Sequence, residues 1–385
     1  MNFFQLTSRL NLSRDFKIIC LHQTLVSLAG GMVGLFLPIF LFQQFNLSIY
    51  WVIVFYLAGH FLYALLVPFG AMAMNKLGLK KSMILGRFFV IPFYLSLCFF
   101  QTNPLVFAIL ANLFILSFRF FYWVPYHVDF VNFTDGKYRG RQMAYLAVLG
   151  YLVSVGAPLL AGLLLSQFSF SFLFVLVTVI TTLAIFPLFK LRKVEARFEY
   201  SYFQTFRELF KKKNFRSGVA YLSDGAQSLV GVVIWPLFIY QILEKQYLTI
   251  GAVTALIIIG TIIFQMLIGK YTDVFSKRKL MKLGSSLYAL GWLAKSFVET
   301  ALQIFIIGTF HSFMAVILRT PFDALTYEQI SSNGTYVDEY TVLREISVSF
   351  GAFFMGCLLI VLIGFFGLKT AFFAAAGFSL LVNLL

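Results

Sequence analysis

Runs of roughly twenty apolar residues follow one another along nearly the whole of this 385-residue chain, and that recurrence limits the possible folds more than any other feature. Where no water is present, only a hydrogen-bonded helix or a closed barrel satisfies the backbone, and a spanning helix needs about 20 predominantly apolar residues. A chain that is 60% hydrophobic and 12% charged has too little polar surface to cover a water-soluble core. The expected fold class is an all-α integral membrane protein with about 12 transmembrane helices, over residues 18–42, 49–74, 82–100, 104–126, 143–165, 168–189, 218–242, 248–268, 281–298, 301–325, 342–366 and 368–385. The first run is too long for a cleavable signal peptide and has no small-residue cleavage site, so it reads as the first span.

The loops test this assignment, because Lys and Arg collect on alternate sides of correctly placed spans. Twenty-four of the 30 fall on the side of the N-terminus, among them Arg9, Lys76, Lys80, Lys81, Lys137 and nine between Lys190 and Arg216. Lys245 and Lys369 alone lie opposite, and Arg87, Arg119, Lys295 and Arg319 fall within spans. The basic side is therefore expected to be cytoplasmic, with both termini there, in a multi-pass protein of the plasma (inner) membrane. The net charge of +15 follows from topology and implies no nucleic acid partner. Cys20, Cys98 and Cys357 stand alone in apolar runs, so no metal is expected. No G-x-x-x-x-G-K-[ST] loop is present, so no nucleotide cofactor is expected either.

The chain resembles itself. Leu37 to Gln43, LPIFLFQ, aligns with Trp235 to Gln241, WPLFIYQ, at an offset of 198, and the loop AMAMNKLGLKK from Ala71 aligns with GKYTDVFSKRK from Gly269 at the same offset. Gly156-Ala157 and Gly351-Ala352 correspond at 195. The expected organisation is a six-helix bundle over 1–189, a basic cytoplasmic linker over 190–217 and a second six-helix bundle over 218–385. The linker run FRELFKKKNF reads equally as a piece lying on the anionic inner leaflet or as a solvated connector.

These features resemble the major facilitator superfamily, whose loop after the second span, repeated after the eighth, has the form G-x-x-x-D-R/K-x-G-x-R/K-R/K. The second copy keeps Gly269, Asp273, Lys277, Arg278 and Lys279, with Ser276 where glycine is usual. The first keeps Lys76, Gly78, Lys80 and Lys81, with Ala71 for glycine and Asn75 for aspartate. The resemblance implies two pseudo-symmetric six-helix bundles around a central cavity lined by spans one, four, seven and ten. It also implies gating by the two loops, with Asp273 making its contacts in one conformational state only.

An ionisable group at mid-membrane costs about 2.5–3.5 kcal/mol, so each is a candidate for function. Nine qualify: His22, His60, Arg119, His127, Asp224, Lys295, His311, Arg319 and Asp323. Seven lie in spans one, four, seven and ten. On the seventh span Asp224, Gln227, Ser228, Gly231 and Trp235 share one face, as a substrate-facing wall or a packing seam. Arg319 and Asp323, four residues apart, either neutralise each other or serve a substrate. Arg119 shares its face with Trp123 and Tyr126 and has no local acid, so it needs a partner on another helix, water or an anionic substrate. His22 and His127 are expected near the inner interface, and Lys295 is expected to pair with Glu299 at the outer end of the ninth span.

The reading these features favour is a secondary active transporter of a small molecule, working by alternating access. It is expected to be a proton-coupled monomer in the lipid bilayer, and not an enzyme. Ala157 to Gly162, APLLAG, keeps the proline and last glycine of a signature found in drug/proton antiporters, which favours export. The alternatives are a membrane-embedded enzyme or lipid-handling protein, or a transport-inactive receptor on the same fold.

Overall fold

A computed structural model describes residues 14–133, 139–192, 198–272, 276–332 and 337–385. Arg9, Lys137 and Asp273 lie outside the described residues. Twelve helical segments follow in the order of the twelve expected spans, nine of them long and apolar enough among the described residues to cross a membrane, and the described residues contain no strand. The first is Arg14–Gly34 continued by Leu37–Gln44, and the second to sixth are Ile49–Leu77, Leu79–Cys98, Pro104–Phe133, Arg139–Gln167 and Phe170–Leu188. A short linker helix, Tyr202–Leu209, precedes the seventh span, which is Lys212–Leu229, a π-turn at Val230–Ile234, and Trp235–Ile242. The eighth to twelfth are Tyr247–Thr272, Lys277–Lys295, Ala301–Ser332, Val337–Phe366 and Thr370–Leu381.

Several helices run one or two turns past the apolar windows at the basic face. The fourth ends at Phe133 rather than 126, the seventh begins at Lys212 rather than 218, and the tenth ends at Ser332 rather than 325. Hydropathy reports where lipid ends, whereas a helix stops only where its backbone finds other partners.

The duplication extends to single backbone hydrogen bonds. Pro38 opens the second piece of the first span, and Pro236, 198 residues on, opens the second piece of the seventh. Beyond each, two successive residues turn left-handed, Asn46 (φ 53°) and Leu47 (φ 62°) in one half and Glu244 (φ 50°) and Lys245 (φ 66°) in the other. Leu47 N donates to Phe42 O at 2.8 Å, and Lys245 N donates to Tyr240 O at 3.0 Å.

Helix packing repeats in the same way. In the first half the third span packs on the fourth and sixth, the first on the fifth and sixth, and the second on the fourth. Adding six to each span number gives the pairs of the second half. Between halves, the second span packs on the eleventh and the fifth on the eighth, two contacts that the repeat exchanges.

Glycine makes the closest of these crossings possible. A Cβ on Gly162 would lie 2.5 Å from Tyr247 O, and one on Gly251 would lie 2.3 Å from Pro158 O, so the fifth and eighth spans touch backbone to backbone. Within the second half, Gly225 and Gly351 bring the seventh and eleventh spans closer still, a Cβ on each meeting Val348 O at 1.9 Å and Leu222 O at 1.8 Å respectively.

Candidate functional site

The polar stripe of the seventh span is the core of a network joining three helices. Asp224 is buried and receives Arg319 of the tenth span in two-pronged fashion, Nη1 to Oδ2 at 2.8 Å and Nη2 to Oδ1 at 2.6 Å. One turn along, Gln227 donates Nε2 to Asp224 Oδ1 at 2.9 Å, and its Oε1 accepts the Tyr288 hydroxyl of the ninth span at 2.8 Å. Arg319 Nη2 also reaches Ser228 Oγ at 3.4 Å. Planar guanidinium and carboxylate match each other's geometry, so the pair fixes the seventh span against the tenth.

This arrangement gives Arg319 a partner that its own helix does not supply. Its charge is met by Asp224, 95 residues away, and not by Asp323 on its own helix. Asp323 is exposed, makes no ion pair among the described residues, and lies in the electrostatic field of Arg319 and Arg344.

Across from this network, Arg119 on the fourth span is partly exposed and makes no hydrogen bond or ion pair among the described residues. It lies within electrostatic reach of Tyr56, His60 and Tyr63 on the second span and Glu345 on the eleventh. His60 Nδ1 is buried without a hydrogen-bond partner there. Trp123 stacks on His127 with centroids 5.8 Å apart and meets Tyr126 edge-on at 6.1 Å.

Glu345 is a hub that the sequence reading missed. It accepts from Tyr63 OH at 3.4 Å and Arg344 Nη1 at 3.0 Å, and its Oε1 lies 3.9 Å from His127 Nε2. Residues of the second, fourth and eleventh spans thus meet on one carboxylate from both halves. The signal was present, since Glu345 falls inside the window 342–366. Arg87 was missed similarly; it is buried, with its guanidinium 3.9 Å from the centroid of Tyr122.

His22 lies apart from these groups, while His311 and Lys295 pack against the edge of the seventh-span network through Tyr288 and Trp235. His22 is fully buried within the first half: its Nδ1 donates to Ala184 O at 2.7 Å and its Nε2 accepts from Tyr122 OH at 2.8 Å. His311 is buried between Tyr288 and Trp292, at 4.2 and 4.4 Å between centroids. Lys295 corrects the surface-pair expectation. It is buried, with its ammonium 4.2 Å from the ring centroids of both Trp235 and Trp292, while Glu299 is exposed. Two indole faces take the place of the expected carboxylate.

The repeated loops find specific partners. Asn75 donates Nδ2 to Phe198 O at 2.6 Å and accepts from Phe198 N at 2.9 Å, while the next residue, Glu199, donates its N–H to Glu339 Oε1 of the eleventh span at 2.9 Å. The residues before the linker helix are therefore held by both halves. An aspartate at 75 could not donate, which accounts for asparagine there. Lys80 donates to Phe189 O at 2.6 Å and Leu191 O at 2.8 Å, closing the end of the sixth span. Gly78 has φ 79°, whereas Ser276 in the second copy has φ −63°, so only the first copy requires glycine. Lys76, Lys81, Lys277, Arg278 and Lys279 are exposed, and Gly269 lies within the eighth span.

At the opposite face the halves are latched. Gln43 donates Nε2 to Tyr240 OH at 2.5 Å and to Tyr247 OH at 2.6 Å, next to the Gly162–Gly251 crossing. Among the described residues no cluster of His, Cys, Asp or Glu could hold a metal ion.

A sequence model described as the Major Facilitator Superfamily matches residues 19–223 and 216–385. No curated protein sequence matches the chain. Among solved structures, the nucleoside transporter NupG superposes with a TM-score of 0.71 at 12% identity, over 96% of this chain and 98% of that one. The human organic anion transporter MFSD10 gives 0.67 at 13% identity, over 96% and 98%. The transporter FucP in its outward conformation gives 0.65 at 13% identity, over 96% of both chains. At such identities the likeness is one of fold.

Proposed function

This chain belongs to the major facilitator superfamily, whose members are secondary transporters, and from that premise we propose that it carries a small molecule bearing an anionic group by alternating access. The observation that carries the reading is Arg119, a partly exposed arginine within the membrane that makes no direct ion pair or hydrogen bond among the described residues, its nearest acid in electrostatic reach being Glu345. A bare cation there is costly unless water or a substrate anion reaches it. MFSD10 is by name an organic anion transporter, which accords with the same substrate class here.

Proton coupling is the accompanying proposal. Asp224 is engaged by Arg319 and Gln227, so the unpaired carboxylate of Asp323 is better placed to take up a proton, and Glu345 stands where both halves meet. Residues 1–189 and 218–385 would move as the two halves, with 190–217 linking them. The basic face would lie in the cytoplasm of a plasma (inner) membrane protein acting as a monomer. Export is the favoured direction, on the likeness of Ala157 to Gly162 to the antiporter signature.

Proteoliposomes under an imposed pH gradient, screened with organic anions, nucleosides, sugars and cationic drugs, test this. Gradient-driven movement of an anion is expected, and Arg119→Gln should weaken it about tenfold or more, as loss of a charge-assisted hydrogen bond does. Equal transport of the anion by the native protein and Arg119→Gln, or no gradient dependence, would overturn the proposal.

A further inference from the structure

We propose that the groove between the first and sixth spans at the basic face binds an anionic phospholipid of the adjoining leaflet. The groove has a volume of about 590 Å³. Its rim carries Arg14 and Lys17 from the first turn of the first span and Lys190 just beyond the end of the sixth. None of these three side chains makes an ion pair or hydrogen bond among the described residues. The nearby acid, Asp15, is taken by Arg192, with Oδ2 3.2 Å from Nε.

Below the rim the chemistry changes within one turn. Leu21 and Leu25 continue the face that begins with Arg14 and Lys17, at helical spacing, and Leu183 and Phe186 line the other wall. Leu21, Leu183 and Phe186 are 55%, 50% and 60% exposed. From Lys17 to Leu25 the groove descends about 12 Å at the helical rise, about the depth over which a glycerophospholipid passes from phosphate to acyl chain. Cations above and an open apolar wall below fit a phosphate head with its chains attached.

Topology alone accounts for basic residues on this face, but not for their meeting at an apolar groove that opens to lipid. A second cavity supplies the contrast. At the same face, between the seventh, ninth and twelfth spans, Lys213, Arg216, Arg278 and Lys282 surround about 360 Å³ that is also lined by Ser217, Asn383, Met281, Leu384 and Leu385. It gathers more charge, and none of its apolar residues is among the strongly exposed ones, Met281 being 3% exposed. Binding by charge alone would favour that second cavity, and binding by head and chain together favours the first.

The experiment is native mass spectrometry of the purified protein in detergent, titrated with phosphatidylglycerol and phosphatidylcholine of the same chains, with inorganic phosphate as a separate arm. It needs neither transport nor a known membrane orientation, so its outcome is independent of the proposed function. Preferential retention of phosphatidylglycerol is expected. The variant Arg14→Gln/Lys17→Gln/Lys190→Gln should lose about a hundredfold in affinity for it, roughly fivefold per cation. Leu25→Trp, which fills the groove at unchanged charge and so preserves topology, should also lose the preference, and it decides the matter if the triple variant fails to fold. Arg216→Gln/Lys282→Gln should leave the strongest binding unaltered. Retention by Leu25→Trp, loss through Arg216→Gln/Lys282→Gln, or displacement of the lipid by an equal concentration of inorganic phosphate would each overturn the proposal.

Discussion

Asp224 is held by one guanidinium and one amide, and that satisfaction separates its role from that of Arg119. A buried ion pair stabilises little against well-packed apolar groups, yet removing one partner strands the other charge. Arg319→Met alone should therefore lower stability by about 2 kcal/mol, less than the roughly 3–5 typical of a wholly buried pair because the Arg319 side chain is 35% exposed. Asp224→Leu combined with Arg319→Met should recover most of that loss. Thermal unfolding of the purified variants in detergent checks this, and a double variant less stable than Arg319→Met would show that the pair itself is strongly stabilising. At this scale the sequence was partly legible. Helical spacing placed Asp224, Gln227 and Ser228 on one face, and they do share a network. The spacing of Arg319 and Asp323 was equally suggestive and led elsewhere, because proximity along a helix says nothing of a better-placed acid on a neighbouring one. Lys295 misled for a related reason: a charge near a helix end reads as exposed, and only packing reveals Trp235 and Trp292 on either side of it.

Among elements, the segment before the linker helix is the notable join, since Asn75 grips Phe198 from the first half while Glu339 grips Glu199 from the second. Asparagine serves because the Phe198 peptide offers one donor and one acceptor. In Asn75→Asp the carboxylate would still accept from Phe198 N but would face Phe198 O without a proton, a repulsion in place of a bond. The variant should release the linker from the second span and raise the population open at the opposite face. Maleimide labelling of a cysteine at Gln43 should then be severalfold faster in Asn75→Asp than in the same background with Asn75 intact, and unchanged labelling would deny the linker a part in gating. The repeated motif singles out Asn75 and Lys80 by its spacing alone. Their partners were not legible, since those are backbone atoms more than a hundred residues away, at the end of the sixth span and in the segment that follows it.

For the whole molecule the repeat is the organising fact, and the offset of 198 seen in two short sequence matches reappears in kinks, left-handed turns and hydrogen bonds. The order of the helices and their repetition were legible because lipid imposes length and duplication imposes order, whereas which helix packs on which within a half was not. What joins the halves was not, because Gln43, Gly162, Gly251 and Glu345 act through contacts with no common period. A molecule latched at one face by Gln43, Tyr240 and Tyr247 must open there for its halves to rock. In a protein whose three native cysteines are replaced, a reducible bifunctional thiol cross-linker joining Gln43→Cys to Tyr240→Cys should abolish transport and leave substrate binding from the basic face intact. Adding reductant should restore transport. Transport that persists through the cross-link would mean that this face need not part, and a binding loss as complete as the transport loss would place the substrate at the latch itself instead of beside Arg119.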